Sequence, residues 1–190
     1  MNGHQKQKEQ SRQMMEEALF ALMKEKNYGQ ITISELVKRA DVSRRTFYRL
    51  YERKEDIIYF YFEKLCRDYS SRYETLNSYD VEKVAAEYFL FWYQHRTFLL
   101  LLHKNNLDDM LYYGIIRGSM EVMKKRIGDE KLRKMPELEY FADYSAGGFI
   151  NLLYRWILFG MKENPEEYAA SVSHAILQFV RPVRNSYAQS

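Results

Sequence analysis

The segment DVSRRTFYRLYERKED, residues 41–56, interleaves cationic side chains with aromatic rings. A guanidinium group can donate two hydrogen bonds to the edge of guanine, and it also binds phosphate. Arg44, Arg45 and Arg49 could therefore contact a nucleic acid. A charge-rich surface helix that is simply solvated is the alternative, and the residue types alone leave both interpretations open.

The helix that positions these arginines is predicted at about residues 44–51. With roughly 3.6 residues per turn, its apolar side carries Phe47, Leu50 and Tyr51. Because this side anchors the helix to its own domain, the other side faces outward. The outward side and its edges carry the residues that we expect to contact DNA: Arg44, Arg45, Thr46, Tyr48 and Arg49.

The residues before this helix have the pattern of a helix-turn-helix. In ITISELVKRA, Glu35 follows Thr32 by three positions, as in a capping box, so a short helix is predicted there. Asp41 tolerates the left-handed backbone of a turn, and Ser43 can cap the next helix. The second helix of this motif enters the major groove of DNA. Thr32, Ser43 and Lys54 lie at helix starts, where phosphate binds, and complete the expected contacts.

Positive charge is concentrated in the same part of the chain. The first 55 residues contain 12 Lys or Arg and 8 Asp or Glu, whereas the remaining 135 contain 17 and 18. A basic N-terminal part is suited to a partner that carries phosphate, although this excess is a weak signal by itself.

Composition favours an all-α protein. Glycine (8) and proline (3) are scarce among 190 residues, and no alternating pattern indicates a strand. A continuous helix is predicted from about Lys54 to residue 76, followed by further helices that begin near Asp80 and Pro165. The segment GDEKLRKMP is expected to be a polar connector. We place the helix-turn-helix domain at residues 1–53 and a second helical domain at 54–190.

The sequence gives no indication of catalysis. None of the four histidines has a metal-binding spacing, and no nucleophile or phosphate-loop motif is present, so we expect no enzyme, metal or cofactor. The single cysteine, Cys66, excludes an internal disulfide and fits a reducing compartment. The N-terminus lacks the apolar core of a signal peptide, and the apolar runs are too short to span a bilayer. We therefore expect a cytoplasmic protein that does not enter a membrane.

The segment ITISELVKRADVSRRTFYRLYERKEDII resembles the DNA-binding signature of the TetR family of bacterial regulators. The agreement is dense and ordered, and it covers Thr32, Leu36, Ala40, Val42, Ser43, Thr46, Phe47, Tyr48, Lys54, Glu55 and Asp56. The sequence departs from the family pattern at Asp41 and Arg45, where Gly is usual or frequent, and at Tyr51, where Phe is usual. Because Arg45 adds a long hydrogen-bond donor, the operator sequence cannot be taken from relatives.

A second segment, LLYRWILFGMKENPEEYA, weakly resembles a motif near the C-terminus of many TetR members. The family resemblance implies about nine helices, a two-fold homodimer that binds a double-stranded operator, and an effector pocket in the C-terminal domain. Two recognition helices would then contact half-sites about one helical turn apart.

The middle of the chain is rich in rings that could line such a pocket for a small apolar or aromatic effector. Plain core packing is the alternative for a stripe of rings at helical spacing. The pocket residues expected from the resemblance are Tyr88, Phe91, Trp92, His95, Phe98, Tyr112, Tyr113 and Phe149.

The last two helices are expected to form the dimer contact. Two adjacent glycines within a helix would allow another backbone to approach closely, and packing within the subunit is the alternative. In the TetR family the last two helices pair with those of the second subunit. The resemblance thus implies an interface with Gly147, Gly148, Trp156, Ala170, His174 and Leu177.

The sequence therefore predicts a sequence-specific DNA-binding regulator, most simply a repressor, whose operator affinity is controlled by an effector in the C-terminal domain. The alternative is a TetR-like regulator or activator controlled by a protein partner. The operator, the effector, the regulated genes and the sign of regulation are not encoded in any motif of this sequence.

Overall fold

The computed structural model describes residues 3–76 and 80–180, which form ten α-helices and contain no strand. In chain order the helices are α1 Gly3–Glu25, α2 Ile33–Arg39, α3 Arg44–Leu50, α4 Glu55–Leu76, α5 Val81–Gln94, α6 Arg96–Lys104, α7 Asp108–Ile127, α8 Asp129–Lys134, α9 Leu138–Leu158 and α10 Pro165–Val180. A short 3-10 turn, Tyr28–Gln30, connects α1 to α2. The expected all-α class is confirmed.

Helices α2 and α3 are bounded by the residues that the sequence indicates. Thr32 and Glu35 form a capping box at the start of α2. Asp41 adopts a φ of 50°, which confirms the left-handed turn, and the Ser43 side chain accepts a hydrogen bond from the backbone N–H of Thr46. These local contacts end α2 and start α3 within four residues. They therefore define how α3 is oriented relative to α2.

The first three helices share an apolar core. Phe47 and Leu50 anchor α3, and Leu36 anchors α2, each at least nine-tenths buried. The side chains of Met15 and Leu19 on α1 are fully buried in the same core. Because burial of each large apolar side chain contributes about 1.5–3 kcal/mol, the position of α3 is fixed by its apolar side.

Helix α4 leaves this core and packs along α7 in the second part of the chain. A Cβ added to Gly114 would lie 2.6 Å from the ring of Phe62, and one added to Gly118 would lie 1.9 Å from the Sγ of Cys66. The two glycines lie one turn apart on α7, as their contacts do on α4. The absence of side chains at these positions allows the two helices to approach closely.

A layer of stacked rings joins α5, α9 and α10. The indole of Trp156 lies parallel to the ring of Tyr168 at 4.5 Å, and it also stacks on Tyr93 at 5.4 Å. Its Nε1 donates a hydrogen bond to Glu163 at 2.8 Å, and the Tyr168 hydroxyl donates one to the Leu152 carbonyl at 2.9 Å. The C-terminal helices are thus joined by ring packing in which the buried polar atoms of Trp156 and Tyr168 are paired.

Two details differ from the sequence predictions. The expected polar connector contains a helix, α8, so the described residues hold ten α-helices rather than about nine. Five of the six residues of α8 are charged and Leu132 is half-buried, so no apolar periodicity signalled it. The predicted division of the chain at 53 and 54 lies in the short connection between α3 and α4 and stays a prediction.

Candidate nucleic-acid interface and the α4–α7 groove

The outward side of α3 presents two arginines and a tyrosine to solvent. Arg45 and Arg49 are exposed, and Tyr48 is 52% exposed with its ring perpendicular to that of Phe47. Among the described residues, neither arginine forms an ion pair or a side-chain hydrogen bond. Their guanidinium groups retain their full donor capacity for base edges or phosphate, as the helical pattern predicts.

Three other predicted contact residues already have partners within the motif. The Ser43 hydroxyl shares a 2.9 Å hydrogen bond with the Thr46 hydroxyl, in addition to its capping contact. Arg44 donates from Nη1 to the Ser34 hydroxyl at 3.1 Å, which joins α3 to α2. These contacts orient the start of α3, and a direct contact of these residues with DNA stays a prediction.

Thr32 is held in the capping box at the start of α2. Glu35 accepts hydrogen bonds from the Thr32 backbone and hydroxyl, and it pairs with Lys26 at the end of α1. The Lys26 hydrogen bond, followed by those from Thr32, lowers the pKa of Glu35 to about 2. The carboxylate therefore stays ionised at neutral pH, and its charge is paired before any phosphate arrives.

Lys54 differs most from its predicted role in binding phosphate. Its ammonium donates to the backbone carbonyls of Tyr28 at 2.7 Å and Ile31 at 2.9 Å, and it lies 4.2 Å from the centre of the Tyr28 ring. Burial lowers the pKa of Lys54, and neighbouring Glu55 opposes this shift. Two of its three donors are used inside the protein, so Lys54 primarily connects the start of α4 to the turn after α1.

The rings expected to line a pocket pack against one another instead. Tyr88, Phe91, Trp92 and Phe98 are each at most 6% exposed. Edge-on contacts at 5.2 Å join Phe91 to Trp92 and Tyr88 to the half-buried Phe149. In the structure these residues form core in which each ring packs against its neighbours, and a pocket lined by them stays a prediction.

The remaining predicted pocket residues lie at the edge of this core. His95 is half-buried with its ring 4.9 Å from that of Phe91, and burial, followed by the charge of Arg72, lowers its pKa. Tyr112 and Tyr113 are exposed on α7. Of the eight residues expected in the pocket, only Tyr113 lines the groove described next.

A groove of about 520 Å³ lies between α4 and α7. Its walls combine rings and small residues with charged side chains from both helices, and they comprise Tyr59, Phe62, Glu63, Cys66, Arg67, Ser70, Tyr113, Gly114, Arg117, Gly118, Glu121, Val122 and Lys125. Sequence reasoning missed this site because its two walls are some 50 residues apart. The four-residue spacing of Gly114 and Gly118 was the available signal, since it indicates a close helix contact.

The floor of the groove is apolar and its rim is charged. Phe62 and Val122 are buried, and Cys66 is half-buried, whereas Arg67 and Arg117 are exposed. Burial is the main cause that raises the pKa of the Cys66 thiol to about 12, so it stays protonated and behaves as a small apolar group. An apolar floor below a polar rim is the common form of a small-molecule site.

The residues predicted for the dimer contact divide into two groups. Trp156 is 1% exposed within the subunit, where its indole is stacked and hydrogen-bonded. Trp156 is thus part of the subunit core, and its place at a dimer interface stays a prediction. By contrast, a Cβ added to Gly147 or Gly148 would meet no atom within 4 Å. The three remaining predicted residues lie on the outside of α10, where Ala170 and His174 are exposed and Leu177 is half-buried.

Large rings near the start of α9 are also open to solvent. Tyr140 is 78% exposed and Tyr144 is 82% exposed, with Phe141 between them. They lie one to two turns before Gly148 on the same helix. A contiguous exposed apolar surface on a folded chain indicates a contact with another macromolecule.

The described part of the chain contains no group of three or more His, Cys, Asp or Glu residues that could hold a metal ion. Over residues 3–76 and 80–180, no helix combines the length and the apolar character that crossing a membrane requires.

Two family profiles match the chain. Residues 17–59 match the profile described as bacterial regulatory proteins, tetR family. Residues 79–178, more than half of the chain, match the profile described as transcriptional regulator C-terminal region. The first match spans the helix-turn-helix, and the second spans α5 to most of α10.

The solved structure of a protein named "Dihydroxyacetone kinase operon activator DhaS" is similar to the chain in fold, with a TM-score of 0.62 and 17% sequence identity. The similarity covers 90% of this chain and 96% of that one. At this identity the likeness concerns the fold alone. No curated protein matches the sequence.

Proposed function

Because the chain belongs to the TetR family of transcriptional regulators, we propose that it is a repressor that binds its operator as a homodimer in the cytoplasm and releases it when an effector binds. DNA binding and transcriptional regulation follow from the family. The exposed, unpaired pair Arg45 and Arg49 on α3 is the observation that supports specific operator recognition.

Footprinting of the purified protein on the DNA beside its own gene tests this proposal. We expect protection of two half-sites about one helical turn apart, because a two-fold dimer places its recognition helices in successive major grooves. Transcription from the protected promoter should rise when the gene is deleted. A fall in transcription would instead identify an activator.

We propose that the groove between α4 and α7 is the effector site, in place of the buried ring cluster. Its volume of about 520 Å³ and its apolar floor are suited to a small molecule with an apolar or aromatic body and a polar end. Helix α4 forms one wall and begins four residues after Tyr51 ends α3. A ligand that separates α4 from α7 would therefore change the spacing of the two recognition helices, provided that it binds the two states with different affinity.

Filling the groove is expected to abolish effector response without affecting operator binding. Ser70 lines the groove and is half-buried, so Ser70→Trp should occupy it. Small molecules that lower operator affinity of the wild-type protein, found by fluorescence anisotropy, should lose at least about tenfold in potency on this variant. The neighbouring exposed Ser71 is the matched control, and Ser71→Trp should respond normally. Equal potency on both variants would place the effector elsewhere.

We propose that the homodimer forms through the outward faces of α9 and α10. The open space at Gly147 and Gly148, the exposed Ala170 and His174, and the rings of Tyr140 and Tyr144 support this surface. Small residues beside large rings can interdigitate across a two-fold axis.

A large charged side chain at the glycine pair is expected to separate the subunits. The Cβ of Gly148→Arg meets no atom within its own subunit, so the fold should persist while the dimer weakens at least about a hundredfold. Sedimentation velocity across a concentration series measures this change. Gly3→Arg adds the same side chain at another open glycine and should leave the dimer intact. A dimer that is unchanged by Gly148→Arg would exclude this face.

Control by a protein partner is the second candidate function. The exposed Tyr140, Phe141 and Tyr144 extend from the start of α9 and could serve such a partner instead of a second subunit. The protein of similar fold is named an operon activator, and a regulator of that kind would fit this alternative. An intact dimer in Phe141→Glu combined with lost regulation in cells would favour it.

A further inference from the structure

One buried amide side chain joins the end of α6 to the end of α1. Asn105 directly follows α6 and is 6% exposed. Its Oδ1 accepts a hydrogen bond from the backbone N–H of Tyr28 at 2.8 Å, and its Nδ2 donates to the Met23 carbonyl at 3.2 Å and the Leu101 carbonyl at 2.9 Å. The side chain thus binds its own helix and two backbone groups that lie 77 and 82 positions earlier.

The turn that Asn105 contacts is held from another direction by Lys54. The ammonium group binds the carbonyls of Tyr28 and Ile31, as described above. Tyr28 therefore accepts a hydrogen bond from the start of α4 through its carbonyl and donates one to the end of α6 through its N–H. The turn between α1 and α2 is fixed by one side chain from each of two other helices.

The other contacts between α1 and α6 are less directional. The rings of Phe20 and Phe98 lie 5.1 Å apart with their planes tilted by 51°, and Phe98 also contacts Phe62 of α4 at 5.1 Å. Apolar ring contacts tolerate small sliding movements, whereas hydrogen bonds weaken steeply once their geometry is lost. The three bonds of Asn105 therefore set the register of α6 on α1 more sharply than the rings do.

We propose that Asn105 is a positioning residue that couples the helix-turn-helix to the C-terminal helices, so that a displacement of α6 moves α1 and the turn to α2 with it. Loss of its bonds would leave the Tyr28 N–H without its acceptor and the Met23 carbonyl without its side-chain donor, whereas the Leu101 carbonyl would keep the backbone N–H of Asn105. The cost of the two lost partners opposes any separation at this contact. The angle at which α3 meets DNA then depends on Asn105, although the residue lies outside the helix-turn-helix.

Amide hydrogen exchange of the free protein tests this proposal without any knowledge of the operator or the effector. In Asn105→Ala we expect the Tyr28 amide and the amides of α2 and α3 to exchange at least about tenfold faster, because the first three helices can then open independently. The amides of α5, α9 and α10 should keep their wild-type rates. Tyr168→Phe is the control, since it removes one hydrogen bond to the Leu152 carbonyl within the C-terminal helices alone.

The variant Asn105→Asp distinguishes a positioning role of Asn105 from a general loss of stability. It is also the variant to measure if Asn105→Ala does not fold. The new carboxylate would keep an oxygen for the Tyr28 N–H while losing both donors, so the Tyr28 amide should stay protected in this variant and α2 and α3 should still exchange faster. Uniform acceleration over the whole chain, or unchanged rates in α2 and α3, would overturn the proposal. A Tyr28 amide that exchanges equally fast in both variants would also overturn it.

Discussion

Replacing Arg45 and Arg49 together by alanine is expected to weaken operator binding by at least about 30-fold. Each guanidinium that contacts a base edge contributes about 1–3 kcal/mol of specific affinity, and two such contributions exceed 2 kcal/mol if they add. Both side chains are exposed on the outward side of α3, and Phe47 and Leu50 anchor the opposite side. Fluorescence anisotropy with a labelled operator duplex measures the loss.

The salt dependence of binding distinguishes base contacts from phosphate contacts in this experiment. Loss of a phosphate contact weakens binding to every sequence and reduces the salt slope by about one, whereas loss of a base contact mainly affects the operator. Arg96→Ala with Arg133→Ala removes the same charge from positions far along the chain and is the matched control. Wild-type affinity in the Arg45 and Arg49 double variant would refute the assignment of the α3 face.

A methyl group at Gly118 is expected to lower the free energy of unfolding by about 1–3 kcal/mol, the usual cost of overpacking a core. The added Cβ would lie 1.9 Å from the Sγ and 2.7 Å from the Cβ of Cys66, so rotation of the thiol alone cannot relieve the contact. Helices α4 and α7 must move apart. Denaturant unfolding of Gly118→Ala measures the effect.

Removing the Cys66 side chain in the Gly118→Ala variant should restore most of the lost stability. In the double variant Cys66→Gly with Gly118→Ala, the nearest remaining atom of residue 66 is its Cα at 3.8 Å, an ordinary contact. The helix-propensity cost of the new glycine inside α4 and the gain from alanine in place of glycine inside α7 are each up to about 1 kcal/mol and largely cancel. Gly29→Ala is the control, because its Cβ would meet only one side-chain oxygen at 3.4 Å. Full stability of Gly118→Ala would show that the α4–α7 contact is looser than described.

Features that depend on near neighbours could be predicted from the sequence. The Thr32 and Glu35 capping box, the Ser43 cap, the left-handed Asp41 and the helix start near Asp80 are all confirmed. Each requires only residues within about four positions, and polar side chains at helix ends have few alternative partners. The helices of the helix-turn-helix are bounded almost entirely by such local signals. For this reason the sequence predicts their start and end residues most accurately.

Features that depend on distant packing could not be predicted. A ring stripe fits either a pocket or a core, and only the contact of Tyr88 with Phe149, some 60 positions away, decides for core. The Trp156 indole is oriented by a hydrogen bond to Glu163 and by stacking on Tyr168, and both partners lie beyond the end of its own helix. Lys54 illustrates the same limit, because its carbonyl partners belong to the turn after α1. The helical period predicts on which side of a helix a residue lies, but it does not predict which other element packs against that side.

The two tryptophans of the chain, Trp92 on α5 and Trp156 on α9, both belong to the ring-packed C-terminal helices. The predicted DNA-binding domain, residues 1–53, contains none. Intrinsic tryptophan emission therefore reports on the C-terminal helices alone, because the N-terminal helices contribute no tryptophan signal. A change in emission on adding an operator duplex would originate in helices outside the proposed DNA-binding surface. The unlabelled protein would then report communication between its N-terminal and C-terminal helices.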